Sequence, residues 1–509
     1  KVASADLTNH ILLERLIITR KPLFISTGMS TESEIESTHK ILKRAGAEYI
    51  FLHCNSTYPT PFKDVNLNYL SQLKKFSQFV GYSGHERGWS VPIAAVAMGA
   101  KVIEKHFTLD KNLEGNDHKV SLLPHEFETM VADIRNVEKA LGSKLGTRLL
   151  TQGEIINREN LAKSIVAKNS IKKGQVISRT ELEIKSPGQG LQPMYIEQLI
   201  GRKANRDFLP GDYFFESDLE TVVEFQTEFS FSRPVGLPVR YHDFNKIKTT
   251  CDLDFVEFHL SYSDLEMDPS DFLTKDEQLD FAVHCPELFQ SDHLLNLAHE
   301  NKDYREQSRR NLDQVCSLTR DLKSFFSKAV DPNIVVNVGG YNLSGFFDKK
   351  QRDECYSRVA GSLEKINKQG VTLVLQTMPP FPWHFGGQSH HNLFVRANEI
   401  AKFCSENGYF MCLDTSHTAM ACSYYGWDLI EFIEEIGPYI KYLHVADAKG
   451  VDGEGVSMGY GDIDFSRVWK KLNDVAPKVG FIPEIWQGHK DNARGFLHAL
   501  NFLQKLEIK

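Results

Sequence analysis

Two histidines, His85 in GYSGHERG and His106 in VIEKHFTLD, fall at the ends of successive apolar runs. If those runs are neighbouring parallel strands, the two imidazoles come close enough to share one divalent cation. The stretch 102–110 places Glu104, Lys105 and His106 in consecutive positions of an otherwise apolar strand, where an unpaired buried charge is costly. Alternate residues of a strand face the same side, so Glu104 and His106 point one way and Lys105 the other. A lone histidine is more often a hydrogen-bonded core or surface residue. Two at matching strand ends, beside Glu104 and Asp117, favour a metal site.

Such residues need a scaffold that brings strand ends together. Through residue 143, the short β-rich runs KVASAD, LFIST, YIFLHC, FVGYSG and VIEKHFT alternate with helical stretches, one of which opens with the capping signal Thr31-Glu32-Ser33-Glu34. That alternation predicts parallel β/α units. Ser4, Asp6, Ser26, Thr27, His53 to Ser56, Ser83, His85, Glu104 and His106 then converge on one barrel mouth. Five strands make a partial (β/α) barrel, because closure needs eight.

Residues 160–219 read instead as a small β-rich module with basic turns and a Pro-Gly-x-Gly element. Alternation resumes near residue 229 with FVEFHLS, FAVHCP, NIVVNVGG, TLVLQTM, YFMCLDTSH, IKYLHVAD and GFIPEIW. With a first strand somewhere in 229–242, these complete a (β/α)8 TIM barrel. Its strand ends carry His259, His284, Glu287, Asn337, Gln376, Asp414, His417, His444, Asp447 and Glu484. The expected class is α/β, with domains over 1–145, 160–222 and 229–509 joined by linkers at 147–159 and 221–229.

The chain has 509 residues, 41% hydrophobic and 25% charged, with a net charge of -8. That balance, without a long basic run, disfavours nucleic acid as a partner. Eight cysteines with no C-x-x-C pair suggest free thiols in a reducing cytoplasm. No apolar run approaches the ~18 residues that span a bilayer, so no membrane partner and a cytoplasmic location are expected. The chain opens at Lys1 inside a predicted strand, which suggests that the barrel starts upstream.

Five ordered motifs resemble those of the sialic acid synthases: Lys1 to Asp6, Ile25-Ser26-Thr27-Gly28-Met29, Leu52-His53-Cys54 with Tyr58-Pro59-Thr60-Pro61, Gly81 to His85, and VIEKHFTLD followed by Asp117-His118-Lys119. The resemblance implies condensation of phosphoenolpyruvate with an N-acylated hexosamine, assisted by Mn2+ or Mg2+. By position it implies His85 and His106 as metal ligands, and Lys1, Ser4, Ser26 and Ser83 around phosphoenolpyruvate. Tyr58, Glu104 and Asp117 would stand about the sugar and a metal-bound water. Asp6 occupies a proton-handling position usually held by glutamate, and Ser56 one where some members contact substrate through asparagine. The family's first three strands, with an essential glutamate and a second lysine, would precede Lys1.

The 160–219 segment resembles the antifreeze-like (SAF) module of the same synthases, which implies a homodimer in which the module covers the partner's site. The family's arginine before Pro-Gly is Ser186 here. Asp414 with His417, His444 with Asp447, and Glu484 resemble the metal-binding strand ends of xylose-isomerase-like sugar isomerases and epimerases, a fold shared with endonuclease IV. The resemblance implies Asp414, His444, Glu484 and, as an extra ligand, Glu454 around Mn2+ or Zn2+, with Glu484 also catalytic and His417 on the substrate. Gln376 stands where a catalytic glutamate is expected, and an amide is no base. Asn337 stands where the trinuclear nucleases carry histidine.

The leading expectation is a nonulosonic acid synthase fused to a sugar isomerase or epimerase for surface carbohydrate. The alternatives are a non-catalytic carbohydrate-binding scaffold, or an endonuclease-IV-like activity in the last barrel.

Overall fold

The computed structural model describes residues 1–142, 148, 150–219, 225–384 and 386–507. The expected domain ends at 145, 222 and 509, and the linker positions Thr147 and Thr221, lie outside the described residues. The chain divides into two units, Lys1–Arg148 and Leu149–Lys509.

In the first unit, β1 (Leu23–Ser26), β2 (Tyr49–Cys54), β3 (Val80–Gly84) and β4 (Val102–Lys105) form a parallel sheet in that order. Pairing of Cys54 with Ser83 and of Ser83 with Glu104 aligns the strand ends that carry the candidate site. Leu13, Ile25, Leu42, Phe51 and Leu73 pack beneath the sheet. The helix Glu32–Arg44 starts with the expected capping box, in which Thr31 N donates to Glu34 Oε2 at 2.7 Å.

The expectation of a strand through KVASAD is corrected. Only Val2 pairs, donating its N–H to Phe24 O at 2.7 Å and accepting from Ser26 N at 3.1 Å, and Ser4–Asp6 form a 3-10 turn. The short polar side chains compete with a ladder there. Ser4 Oγ accepts from Gly28 N at 3.2 Å, and Asp6 Oδ1 accepts from Asn9 Nδ2 at 3.1 Å.

The second unit opens with the helix Gln152–Leu161 and an antiparallel pair, β5 (Ser164–Ala167) with β6 (Leu182–Lys185). Ile165, Ile171, Leu199, Phe208 and Phe214 form a small core of their own.

There follow β7 (Gly236–Val239), β8 (Phe255–His259), β9 (Asp280–His284), β10 (Asn333–Val336), β11 (Thr372–Gln376), β12 (Phe410–Asp414), β13 (Ile440–Val445) and β14 (Phe481–Pro483). They pair in parallel in chain order, and a bridge from Val235 to Phe481 joins the last strand to the first. The result is a nearly closed eight-stranded barrel. Its plug is a layer with one residue from each of seven strands: Phe255, Ala282, Val335, Val374, Cys412, Tyr442 and Ile482.

Because side chains alternate along a strand, the residues two positions further on face the same interior one layer nearer the C-terminal mouth. Those residues are Glu257, His284, Asn337, Gln376, Asp414, His444 and Glu484. Apolar packing below thus fixes a ring of polar groups above. Outside the strands, Leu312, Val359, Ile400, Ile433, Leu472 and Leu500 join the surrounding helices to the barrel. Among the described residues, no helix is long and apolar enough to cross a membrane.

Candidate active site

At the strand ends of the first unit, the rings of His85 and His106 stand edge to face with centroids 5.0 Å apart, and Tyr58 lies over His85 at 4.2 Å. His85 Nδ1 lies 2.6 Å from Asn55 O, which leaves Nε2 as the nitrogen free to ligate. Burial works against the charged form of His85, but Cys54 and Asn55 hold its pKa above the ordinary value. Burial, then the neighbouring His85, lowers that of His106. Asp117 and Glu104 lie near enough to oppose that fall.

Lys1 Nζ donates to Glu104 Oε1 at 2.9 Å, and Ser83 Oγ donates to the same oxygen at 3.1 Å. Among the described residues, Ser26 Oγ and Ser56 Oγ are buried without a hydrogen-bond partner, so both could donate to a ligand. A Cβ on Gly28 would come within 2.1 Å of Ser56 Oγ and 2.8 Å of Ser4 Oγ, so a larger residue there would displace these hydroxyls. Lys1, Ser4, Ser26, Ser56, Tyr58, Ser83, His85, Glu104 and His106 therefore share one end of the sheet, with Asp117 near the histidines. Asp6 sits on its turn, engaged with Asn9.

Lys105 turns the other way. Its ammonium pairs with Glu86 Oε1 at 2.7 Å and also donates to Glu86 O, with both side chains fully enclosed. Tyr82 OH donates to the second Glu86 oxygen at 2.5 Å. Sequence reading singled out neither Glu86 nor Tyr82. Glu86 in HERG was the available signal, an acid one residue beyond His85 in a region with little solvent access.

In the last barrel, His284, His444 and Glu484 bring three ligand atoms within 4.8 Å of one another. His444 Nδ1 is 2.7 Å from Glu484 Oε2, and its Nε2 is 3.1 Å from Glu257 Oε2. Glu257 Oε1 is in turn 2.8 Å from His259 Nε2. Among the described residues, Glu257 Oε1, His259 Nε2 and Glu484 Oε2 are all buried with no hydrogen bond of acceptable geometry. Imidazoles and carboxylates gathered this closely at one strand-end layer are the donor set of a divalent metal. His284 Nδ1 lies 3.1 Å from Cys285 O, which frees Nε2.

Burial pushes the Asp414 carboxyl up to about 7, a rise to which the neighbouring Glu484 charge adds. Glu484 is held well below the carboxylate range, against its burial, by His444. His417 donates its backbone N–H to Asp414 Oδ1 at 2.9 Å, and its ring bridges Thr377 O at 2.8 Å and Glu454 Oε1 at 3.0 Å. Burial opposes its charged form, yet Asp414 and Glu454 raise its pKa to about 10. Glu454 thus lies against His417 and outside the close group of three.

The structure differs from the sequence reading at two points here. The strand-end residue Asp447 serves its own loop: its oxygens accept from Ala448, Gly459, Gly461 and Ile463 N–H groups at 2.9 to 3.1 Å. Glu257 was missed, and His284 was noted as a strand-end residue without being given a role. Gln376 Nε2 lies 3.2 Å from His444 Nδ1, beside the ligand group. Asn337 donates to Glu287 Oε1 at 2.7 Å and lies 3.3 Å from His391 Nε2.

A chain with this closed parallel barrel and this polar mouth defines a class. It belongs to the xylose isomerase-like TIM barrel family, which matches residues 246–506, a little over half its length. The NeuB family matches residues 1–145 and the SAF domain residues 162–220. An uncharacterized protein of Methanocaldococcus jannaschii is 46% identical over 221 residues, covering 43% of this chain and 65% of that one. The N,N'-diacetyllegionaminic acid synthase of Campylobacter jejuni is 41% identical over 212 residues, covering 41% of this chain and 63% of its own. The chain therefore spans under two thirds of the length of the curated relatives it matches. A solved D-tagatose 3-epimerase-like protein is 18% identical, with a TM-score of 0.38, over 54% of this chain and 96% of its own.

Proposed function

We propose that this protein makes a nonulosonic, sialic-acid-like sugar acid for surface carbohydrate, and that its last barrel is a metal-dependent sugar isomerase or epimerase serving the same substrate. The first barrel (1–145) and the SAF domain (160–222) would condense phosphoenolpyruvate with an N-acylated hexosamine; the last barrel (229–509) would prepare that hexosamine. The observation that carries the reading of the last barrel is His444 held between Glu257 and Glu484 above an apolar plug. The similarity of the first part to a diacetyllegionaminic acid synthase supports the condensation. The protein would act in the cytoplasm as a homodimer formed through the SAF domain.

In the first barrel His85 and His106 would hold Mn2+ or Mg2+. Lys1, Ser4, Ser26, Ser56 and Ser83 would bind the phosphate and carboxylate of phosphoenolpyruvate, while Asp6, Tyr58, Glu104 and Asp117 would face the sugar. In the last barrel His284, His444 and Glu484, with Asp414 beside them, would hold Mn2+ or Zn2+. A cation held by these residues would supply Lewis-acid polarisation of a sugar carbonyl. Glu484, kept ionised, would take the proton from the carbon beside that carbonyl and return it to the carbonyl carbon; Asp414, raised by its burial, would give a proton to the carbonyl oxygen and take one back from the hydroxyl that becomes the new carbonyl. Because the amide of Gln376 is no base, one carboxylate must act in both directions, which favours isomerisation over two-base inversion. His417 and Glu454 would orient the substrate hydroxyls.

Phosphate release from phosphoenolpyruvate by the full-length protein with Mn2+, across a panel of N-acylated hexosamines, tests the synthase reading; no release with any of them would overturn it. Gln376 also favours a second reading, in which the last barrel binds sugar without turnover.

A further inference from the structure

The mouth of the last barrel opens into a cavity of about 530 Å³, sized for a hexose derivative. Its lining includes His259, Asp414 and Glu484 from the barrel, but also Glu159 and Gln189 from the segment before it. Three contacts hold that segment in place. Lys490 Nζ donates to Glu159 Oε1 at 2.7 Å, with the side chains only 11% and 16% exposed. Gly153 lies flat on the Trp383 indole, where a Cβ would come within 2.5 Å of the ring. Gly188, in the loop after β6, packs against the helix Gln152–Leu161, where a Cβ would fall 2.2 Å from Arg158 O.

The helix Gln152–Leu161 is thus keyed to the barrel by a largely buried ion pair and an aromatic seat. The loop carrying Gln189 is keyed to that helix. Buried pairs are weak evidence for stability but suit fixed docking, since any displacement leaves a charge unpaired.

Resting on the reading of the last barrel as a sugar enzyme, we propose that the SAF module supplies in cis a wall of this cavity, and that Gln189 selects there for a sugar bearing an N-acyl group. Its carboxamide offers two donors and an acceptor, the complement of an amide substituent. Among the described residues its Nε2 makes only a long contact, 3.5 Å to Glu159 O. Trp486 and Phe496 line the same cavity and provide apolar surface for an acyl methyl. Glu159, neutralised by Lys490, positions the helix rather than repelling substrate. A wall in cis would tie the substrate of the last barrel to the class of sugar that the first barrel would consume.

The test uses the whole chain loaded with Mn2+, with binding of N-acetyl-D-glucosamine and D-glucose measured by calorimetry. Wild type should prefer the acylated sugar by about tenfold, the worth of one good hydrogen bond. Gln189→Ala and Gln189→Glu should each bring that ratio towards one and leave D-glucose binding within about twofold of wild type. An unchanged ratio in both variants, with metal and D-glucose still bound, overturns the inference and leaves the proposed function standing. If the wild-type chain binds neither metal nor sugar, the reading of the last barrel falls, and this inference with it.

Discussion

His444 sets its Nε2 3.1 Å from Glu257 Oε2, and neither side chain is exposed. A proton on Nε2 shared with that carboxylate would leave Nδ1 for a metal, the arrangement that orients an imidazole ligand. Glu257→Gln keeps the shape and removes the charge. It should weaken divalent-metal affinity by about 10- to 100-fold, read by competition with a chelator. An unchanged affinity would mean that Glu257 does not orient the ligand.

Lys105 and Glu86 are a fully buried pair on the side of β4 away from His106. Lys105→Met should destabilise the protein by roughly 3–5 kcal/mol, because Glu86 is left charged and enclosed. Adding Glu86→Gln should recover much of that loss in a denaturant titration. Equal stability of Lys105→Met and wild type would contradict the pair's role.

Asp447 accepts four backbone N–H groups of its own loop region. Asp447→Ala should lower stability by about 3 kcal/mol or more, since several buried donors lose their acceptor. It should still bind metal in the last barrel. Loss of metal at unchanged stability would make Asp447 a ligand after all.

The two candidate metal sites draw on separate side chains. Elemental analysis should find one equivalent lost in His284→Ala and a different one lost in His106→Ala, with both lost only in the double variant. Loss of both equivalents from either single change would contradict two independent sites.

Much of the last barrel is legible in the sequence because strands buried on both faces read as apolar runs, and polar residues at their ends stand out. Asp414, His444 and Glu484 follow from that contrast. Glu257 does not, because it lies inside the run FVEFHLS and not at its end. The signal available was its spacing, two residues after Phe255 and two before His259, all on one face. The part played by Asp447 is not legible either: it stands at a strand end, but its partners, the N–H groups of Ala448, Gly459, Gly461 and Ile463, cannot be read from residue types. At the start of the chain, alternation in KVASAD suggests a strand, but Ser4 and Asp6 are drawn into local and cross-loop hydrogen bonds instead.

The central claim, that the last barrel moves a proton on a sugar carbon, is tested most directly by deuterium exchange. Mn2+-loaded protein in D2O, offered a panel of hexoses and N-acetylhexosamines, should place deuterium on the carbon beside the carbonyl of at least one sugar, detected by NMR. Glu484→Gln and His284→Ala should fall to background. A sugar converted without deuterium, or no exchange in any sugar while the metal is bound, would contradict the account.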